Sequence, residues 1–300
     1  MVNNLALLLD APSLGLQLLA DGILVGAIFA LVAYGMALVW GVMNVINITQ
    51  GELVMLGGYV AIEVAKTGVP VLLGVPAAAV VMFVVGWILY KIVIHRVVDR
   101  DLFTALLATF GLSILIQQLA NEVFGANIQS VQSGMGSFIF ADGMVTVGKV
   151  KVLAFAIALA VGALLAWFLR ATRMGQAIRA TAQNARAARV VGIDTDRVYG
   201  MTFALNSAIC GAAGALVAMT WIIHPYLGLT YTLRSFMIVV VAGLGNVAGV
   251  LGAGAGLGVV ENFAGFAFGT EYQTACVFGL LVLILVYRNL RLRARRSYLR

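Results

Sequence analysis

Charge is what this chain has least of: Asp, Glu, Lys and Arg make up 10% of its 300 residues, against 62% hydrophobic ones and a mean hydropathy of +1.04. A soluble globule of this length could not hide so much apolar surface, so the chain reads as a polytopic integral membrane protein. Proline is also scarce, at four residues against 34 glycines, which favours closely packed helices over an outer-membrane barrel of alternating strands. The two cysteines, Cys210 and Cys276, lie in apolar runs and read as small packing residues rather than a disulfide. The two histidines, His95 and His224, have no cysteine or paired carboxylate beside them at metal-ligand spacing, and no phosphate-binding loop is present. These absences give no metal, no cofactor, no catalytic residues and no ATP hydrolysis by the chain itself. The N-terminus has no basic stretch ahead of its first apolar run and carries Asp10 and Asp21, so a cleaved signal peptide is not expected.

What is present fits an all-α fold: a polytopic transmembrane helical bundle of about eight to nine membrane segments, at roughly 20 residues per crossing, within one domain covering 1–300. Hydropathy places the segments at 15–42, 50–66, 70–90, 101–124, 150–169, 198–222, 234–249, 250–268 and 271–287. The net charge of +7 does not signal nucleic acid, because no folded basic domain accompanies it. The basic residues instead gather in three groups, around Lys91 to Arg100, Arg170 to Arg197 and Arg288 to Arg300. The positive-inside rule puts all three in the cytoplasm and the loop at 125–149 outside, folded over the outer surface. The segments at 234–249 and 250–268 are short, glycine-rich and joined at Gly243 to Asn246, which suits half-helices or a re-entrant pair; Gly41 to Lys66 has the same character. Nine full crossings put the N-terminus outside, and one re-entrant segment reverses its side. Gly41 to Val45 faintly echoes Gly243 to Val247, as in transporters built from two similar halves.

Polar residues inside apolar runs mark candidate pathway positions. In a helix, Asn44, Asn47, Gly51 and Glu52 would share a face, with Gln50 nearby, and a carboxylate at mid-membrane costs about 2.5 to 3.5 kcal/mol unless it faces a cavity or a partner. This stretch is either the lining of a solute pathway or an interfacial turn and helix cap. Glu261 shares a helical face with Gly254 and Gly258 and lies either on the pathway or at the outer interface near Glu271. Asn246 completes the candidate set. Gly22 with Gly26, Gly211 with Gly214, and Gly245 with Gly249 read as helix contact sites.

The connection from Arg170 to Arg197 is polar and alanine-rich, with Gly175 and Gly192 as stops flanking a helix. Lying across the cytoplasmic surface, it would expose Arg179, Gln183, Arg186 and Arg189, either to a docking partner or to anionic headgroups of membrane lipid.

Three stretches carry a family resemblance. Trp40 to Glu52 followed by Met55 to Tyr59, then Thr172 to Ala180 continuing through Asn184 to Ile193, then Val241 to Gly249, are together similar to the permease subunits of branched-chain amino-acid ATP-binding cassette importers. One departure stands out: members of that family often have a histidine and a glycine before the acidic residue, whereas this chain has Thr49, Gln50 and Gly51 before Glu52. The resemblance implies a multi-pass protein of the cell inner membrane, not an enzyme, that translocates branched-chain amino acids. It implies as partners a second homologous permease subunit, two cytoplasmic ATP-binding subunits and an extracytoplasmic solute-binding protein, in a membrane and without nucleic acid. The connection at about 170–197 would hold the ATPase-coupling residues Arg173, Gly175, Arg179, Gln183, Asn184, Arg186, Arg189 and Gly192. Related permeases carry urea or short amides, and a rival from another class is a gradient-driven channel or secondary transporter, which the scarcity of intramembrane charge disfavours.

Overall fold

The computed structural model describes residues 12–140, 145–243 and 246–297. In chain order its helices are α1 (Pro12–Met43), α2 (Gln50–Lys66), α3 (Gly74–Ile92), α4 (Leu102–Phe124), α5 (Lys149–Ala171), α6 (Arg173–Gln183), α7 (Ala185–Val190), α8 (Thr195–Thr220), α9 (Gly228–Ala242), α10 (Val247–Phe268) and α11 (Thr270–Ser297). A two-stranded antiparallel hairpin, β1 (Ser137–Phe140) with β2 (Val145–Gly148), pairs Ser137 with Gly148 in the loop before α5. The fold is an all-α helical bundle with this one small addition.

Among the described residues, six helices, α1, α3, α4, α5, α8 and α10, are long and apolar enough to cross a membrane. α1 and α8 form the centre: 83% and 78% of their most apolar windows are buried, against 22 to 28% for α3, α4 and α5. Lipid-facing helices keep their apolar side chains outward because the surrounding solvent is itself hydrocarbon. Phe103, Leu107, Phe110, Leu115 and Leu119 of α4 are exposed for that reason.

Glycines set how closely the central helices approach. A Cβ on Gly22 would lie 2.6 Å from the Cα of Val259, and one on Gly258 would lie 2.2 Å from the carbonyl oxygen of Gly22. Gly26 and Gly254 meet at the same seam, so α1 and α10 touch backbone to backbone. On α8, a Cβ on Gly214 would lie 1.9 Å from the Val54 carbonyl oxygen, and Gly211 abuts Ala78 and Met82 of α3. Two of the three glycine pairs read from sequence are therefore helix contacts. In the third, Gly245 lies outside the described residues, and a Cβ on Gly249 would meet the side chain of Asn246, which caps the same helix, and lie 3.2 Å from the Ala242 carbonyl oxygen.

Several boundaries move. The segment placed at 234–249 is α9, and it starts at Gly228 and ends at Ala242. Hydropathy missed its first turns because Thr230, Thr232 and Arg234 lower the average there, and it overran the end because Gly243 breaks the helix with φ 82°. α10 holds 22 residues and is no half-helix, whereas α2 at 17 residues and α9 at 15 span only about 26 and 22 Å, short of a hydrocarbon core of about 30 Å. The loop at 125–149 is tied down, as Gln129 forms an antiparallel bridge with Ile223 and the Val131 N–H donates to the Ala218 carbonyl at 3.0 Å.

Candidate functional site

Between α1 and α2 the chain leaves helical geometry. Asn44 takes a left-handed φ of 53°, a conformation that asparagine tolerates better than most residues, and Val45 to Thr49 run non-helically back toward the core. The shared helical face expected for Asn44, Asn47, Gly51 and Glu52 therefore does not form. Asn44 is exposed, while Asn47, Thr49, Gln50 and Glu52 are all fully buried.

Such a stretch has backbone groups with no helical partner, and in an apolar interior they need side chains instead. Thr109 of α4 accepts from the Ile48 N–H and donates toward backbone carbonyls, that of Ile46 at 3.3 Å included. Thr232 of α9 accepts from the Gly51 N–H at 2.8 Å and lies 2.9 Å from the Ile48 carbonyl, to which it donates. The Asn47 carboxamide accepts from the Thr49 N–H at 3.2 Å and the Thr49 hydroxyl at 2.5 Å, and donates to Gln50 Oε1 at 3.3 Å. The Gln50 amide in turn donates to the Val32 carbonyl at 2.9 Å and approaches Cys210 Sγ at 3.1 Å. Cys210 is thus more than a packing residue.

Glu52 follows directly. Its Oε1 accepts from the Ser113 hydroxyl at 3.0 Å and the Gln117 amide at 2.9 Å, both from α4. Its Oε2 receives no hydrogen bond among the described residues. The carboxyl group rests against the first residue of α9: a Cβ on Gly228 would come within 2.4 Å of the Glu52 carboxylate atoms, and one on Gly51 would lie 1.7 Å from the Gly228 carbonyl oxygen. Only glycine fits at position 51, and a side chain at position 228 would have to push the Glu52 carboxyl group aside.

Glu261 lies elsewhere, on α10, 3% exposed and paired with Arg234 of α9 through both guanidinium edges, Nε to Oε2 at 3.1 Å and Nη2 to Oε1. The guanidinium also sits 4.7 Å above the Phe29 ring and 5.8 Å from that of Tyr231. Arg234 was missed in the sequence. Its signal was a single arginine inside an otherwise apolar helix, a position that calls for a partner. A cavity of about 350 Å³ opens beside this pair and is bounded on its other side by Lys151 of α5 and Asp21 of α1, 2.7 and 2.8 Å apart at their charged atoms. Lys151 lies in the first turn of α5, whose far end carries Arg170, so this cavity is at the end of the bundle opposite the arginine-rich connection.

Asn246 belongs to neither group. It is exposed and caps α10, its side chain accepting from the Gly249 N–H at 2.9 Å, and it borders a crevice of about 590 Å³ with Arg170 and Arg179 at the arginine-rich end. The six pathway candidates therefore fall into three buried positions at Asn47, Gln50 and Glu52, a position at Glu261 beside the cavity, and two exposed positions at Asn44 and Asn246.

The connection after α5 is two helices, not one. Thr172 caps α6 by accepting from the Gly175 N–H at 2.9 Å, and Asn184 breaks the run at φ −159° and caps α7 by accepting from the Ala187 N–H at 3.0 Å. An asparagine that satisfies an orphan N–H in this way starts a helix rather than continuing one. Gly175 is no stop but a buried contact, where a Cβ would lie 2.2 Å from the Phe168 carbonyl oxygen; Gly192, at φ 87°, does follow the end of α7. Arg173, Arg179, Gln183, Asn184 and Arg186 are exposed. Arg189 is exposed too but engaged: it donates to Asp99 at 2.9 Å and to the Thr195 hydroxyl at 2.7 Å, and the Asp99 carboxylate beside it pushes the guanidinium still further above its ordinary pKa. Val190 and Val191, 87 and 76% exposed, stand beside these arginines and were not picked out in the sequence. His95, expected on a basic cytoplasmic edge, contacts Asp196 at 2.7 Å, and His224 borders the cavity beside Lys151.

Comparison with known proteins identifies the family. The family described as branched-chain amino acid transport system, permease component, matches residues 18–286. The chain is 30% identical over 289 residues to the high-affinity branched-chain amino acid transport system permease protein LivH of Escherichia coli, covering 90% of this chain and 92% of that protein. It is 29% identical over 287 residues to the corresponding protein BraD of Pseudomonas aeruginosa, covering 91 and 94%. It is 27% identical over 286 residues to a probable branched-chain amino acid transport permease protein LivH of Methanocaldococcus jannaschii, covering 91 and 89%. No solved structure matches the chain.

Proposed function

Because the chain belongs to the family of branched-chain amino acid transport system permease components, we propose that it forms, as a single domain with a second homologous permease, the membrane passage of an importer for branched-chain amino acids. Two ATP-binding subunits drive it from the cytoplasm and an extracytoplasmic binding protein delivers the solute. The passage draws on Asn47, Gln50 and Glu52 at mid-membrane and on Glu261 at the outer side.

The observation that carries the reading is the α6–α7 pair. Charged residues Arg173, Arg179 and Arg186 project from it together with Gln183, Asn184, Val190 and Val191, a mixed polar and apolar surface suited to a protein groove. The same pair is rigidly attached to the bundle. Gly175 seats α6 against the end of α5, and Ile178 is buried in the core beside α1. Arg189 ties α7 to Asp99 in the α3–α4 turn and to Thr195 at the start of α8. A displacement imposed on α6 and α7 by ATP-driven closure of the motor subunits therefore reaches the central helices directly. Binding of ATP shifts the membrane helices only so far as the two states differ in these contacts.

Reversing the charge at Arg179 and Arg186 tests this. In the reconstituted complex, Arg179→Glu with Arg186→Glu is expected to abolish ATP hydrolysis stimulated by the leucine-loaded binding protein, while the permease still inserts and folds. Unchanged stimulation overturns the placement. Stimulation by a urea-loaded but not a leucine-loaded binding protein overturns the solute.

A further inference from the structure

The cavity beside Lys151 and Glu261 has a chemistry of its own. Four helices contribute its charges: Asp21 from α1, Lys151 from α5, Arg234 from α9 and Glu261 from α10. They form two pairs that differ in access. In the Arg234–Glu261 pair the carboxylate side chain is 5% exposed and held at two points, and the guanidinium is fixed over Phe29. In the Asp21–Lys151 pair the side chains are 30 and 24% exposed and meet through a single flexible ammonium. A pair that keeps this much access to water contributes little to stability, so exchanging its partners for other charges costs little. The apolar side of the cavity is made by Phe29 and Trp221, whose rings stack with centroids 6.4 Å apart. A volume of about 350 Å³ is at the small end of the range for small-molecule sites.

A free anion would be drawn by Lys151 and repelled by Asp21, and a free cation the reverse. A molecule with both charged groups on one carbon suits both residues at once. We propose that this cavity receives a small zwitterion, an α-amino acid with an aliphatic side chain, on its way into the membrane passage. Its carboxylate takes Lys151, its ammonium takes Asp21, and its side chain rests on Phe29 and Trp221. The Arg234–Glu261 pair stays closed as a neutral inner wall. This assignment rests on the import reading above and adds to it the residues that recognise the two charged ends.

The test is direct binding to the full complex of permeases and ATP-binding subunits in lipid nanodiscs, without the external binding protein. Radiolabelled L-leucine is the probe, with leucinamide, which lacks the carboxylate, and 4-methylpentanoate, which lacks the ammonium, as competitors. Leucine is expected to bind, and each analogue to compete at least about tenfold more weakly. The double variant Asp21→Asn, Lys151→Gln is expected to lose about tenfold in affinity. It leaves the buried Arg234–Glu261 pair intact, so assembly of the complex is retained. Equal competition by either analogue, wild-type affinity in the double variant, or no leucine binding to the wild type in the millimolar range overturns the site. Leucine-dependent stimulation of ATP hydrolysis by the loaded binding protein, measured on the same wild-type preparation, separates the two ideas. Its loss sinks the import reading, and its presence beside unchanged binding in the double variant sinks the cavity alone.

Discussion

Two buried carboxylates in this bundle are kept in opposite ways. Glu52 has uncharged company: a serine hydroxyl and a glutamine amide reach one of its oxygens, and the backbone of Gly228 packs against the group. Glu261 has a full counter-charge, held by both edges of the Arg234 guanidinium and backed by an aromatic ring. The first arrangement serves a carboxyl whether or not it carries a charge, since both donors act on either form. The second requires the charge, because removing either partner leaves the other ionised in a low-dielectric interior. Position explains the contrast. Glu52 sits where α2 and α9 both begin inside the bundle, next to backbone that must be satisfied locally; Glu261 borders an open cavity shared with Lys151 and Asp21.

The comparison is broken most severely at the ion pair. Arg234→Ala is expected to destabilise the protein by about 3 to 5 kcal/mol, measured by denaturant-dependent unfolding in detergent, and Glu261→Gln added to that variant is expected to recover much of the loss. A small effect of Arg234→Ala would mean that Glu261 does not depend on its partner. Ser113→Ala removes one of the two donors to Glu52 and should cost about 1 to 2 kcal/mol in the same assay. The smallest effect is expected from Glu52→Gln, below about 1 kcal/mol, since a glutamine carbonyl still accepts from both Ser113 and Gln117. If Glu52→Gln proves as damaging as Arg234→Ala, Glu52 is held by its charge after all and the distinction between the two sites fails.

Much of the bundle was legible beforehand for a simple reason. In lipid every backbone polar group must be paired within the chain, so long apolar runs have little choice but to be helices. That is why the runs ending at Met43, Phe124, Ala171 and Thr220 were found within a few residues of their ends. The helix α9 was misplaced because Arg234 and Thr232, which are accommodated by partners in α10 and α2, and the exposed Thr230 look unfavourable when averaged along the chain. The cap at Asn184 was visible in principle, but a helix rich in alanine and arginine gave no reason to interrupt it. Among the site residues, Asn47 and Gln50 meet through a hydrogen bond in a broken backbone rather than on a shared helical face, and Glu52 is held instead by Ser113 and Gln117 of α4. Asn44 and Asn246 went elsewhere, because each serves a local purpose at a helix terminus.

Apolar content and the spacing of basic residues determined the solvent this chain inhabits, the helical class it must adopt and which end of the bundle carries the arginines, because those follow from transfer free energies summed along the chain. Which buried charges meet could be decided only in three dimensions. Arg234 and Glu261, Lys151 and Asp21, and Ser113 and Glu52 are 27, 130 and 61 residues apart. Only the packing of separate helices against one another brings such residues within reach.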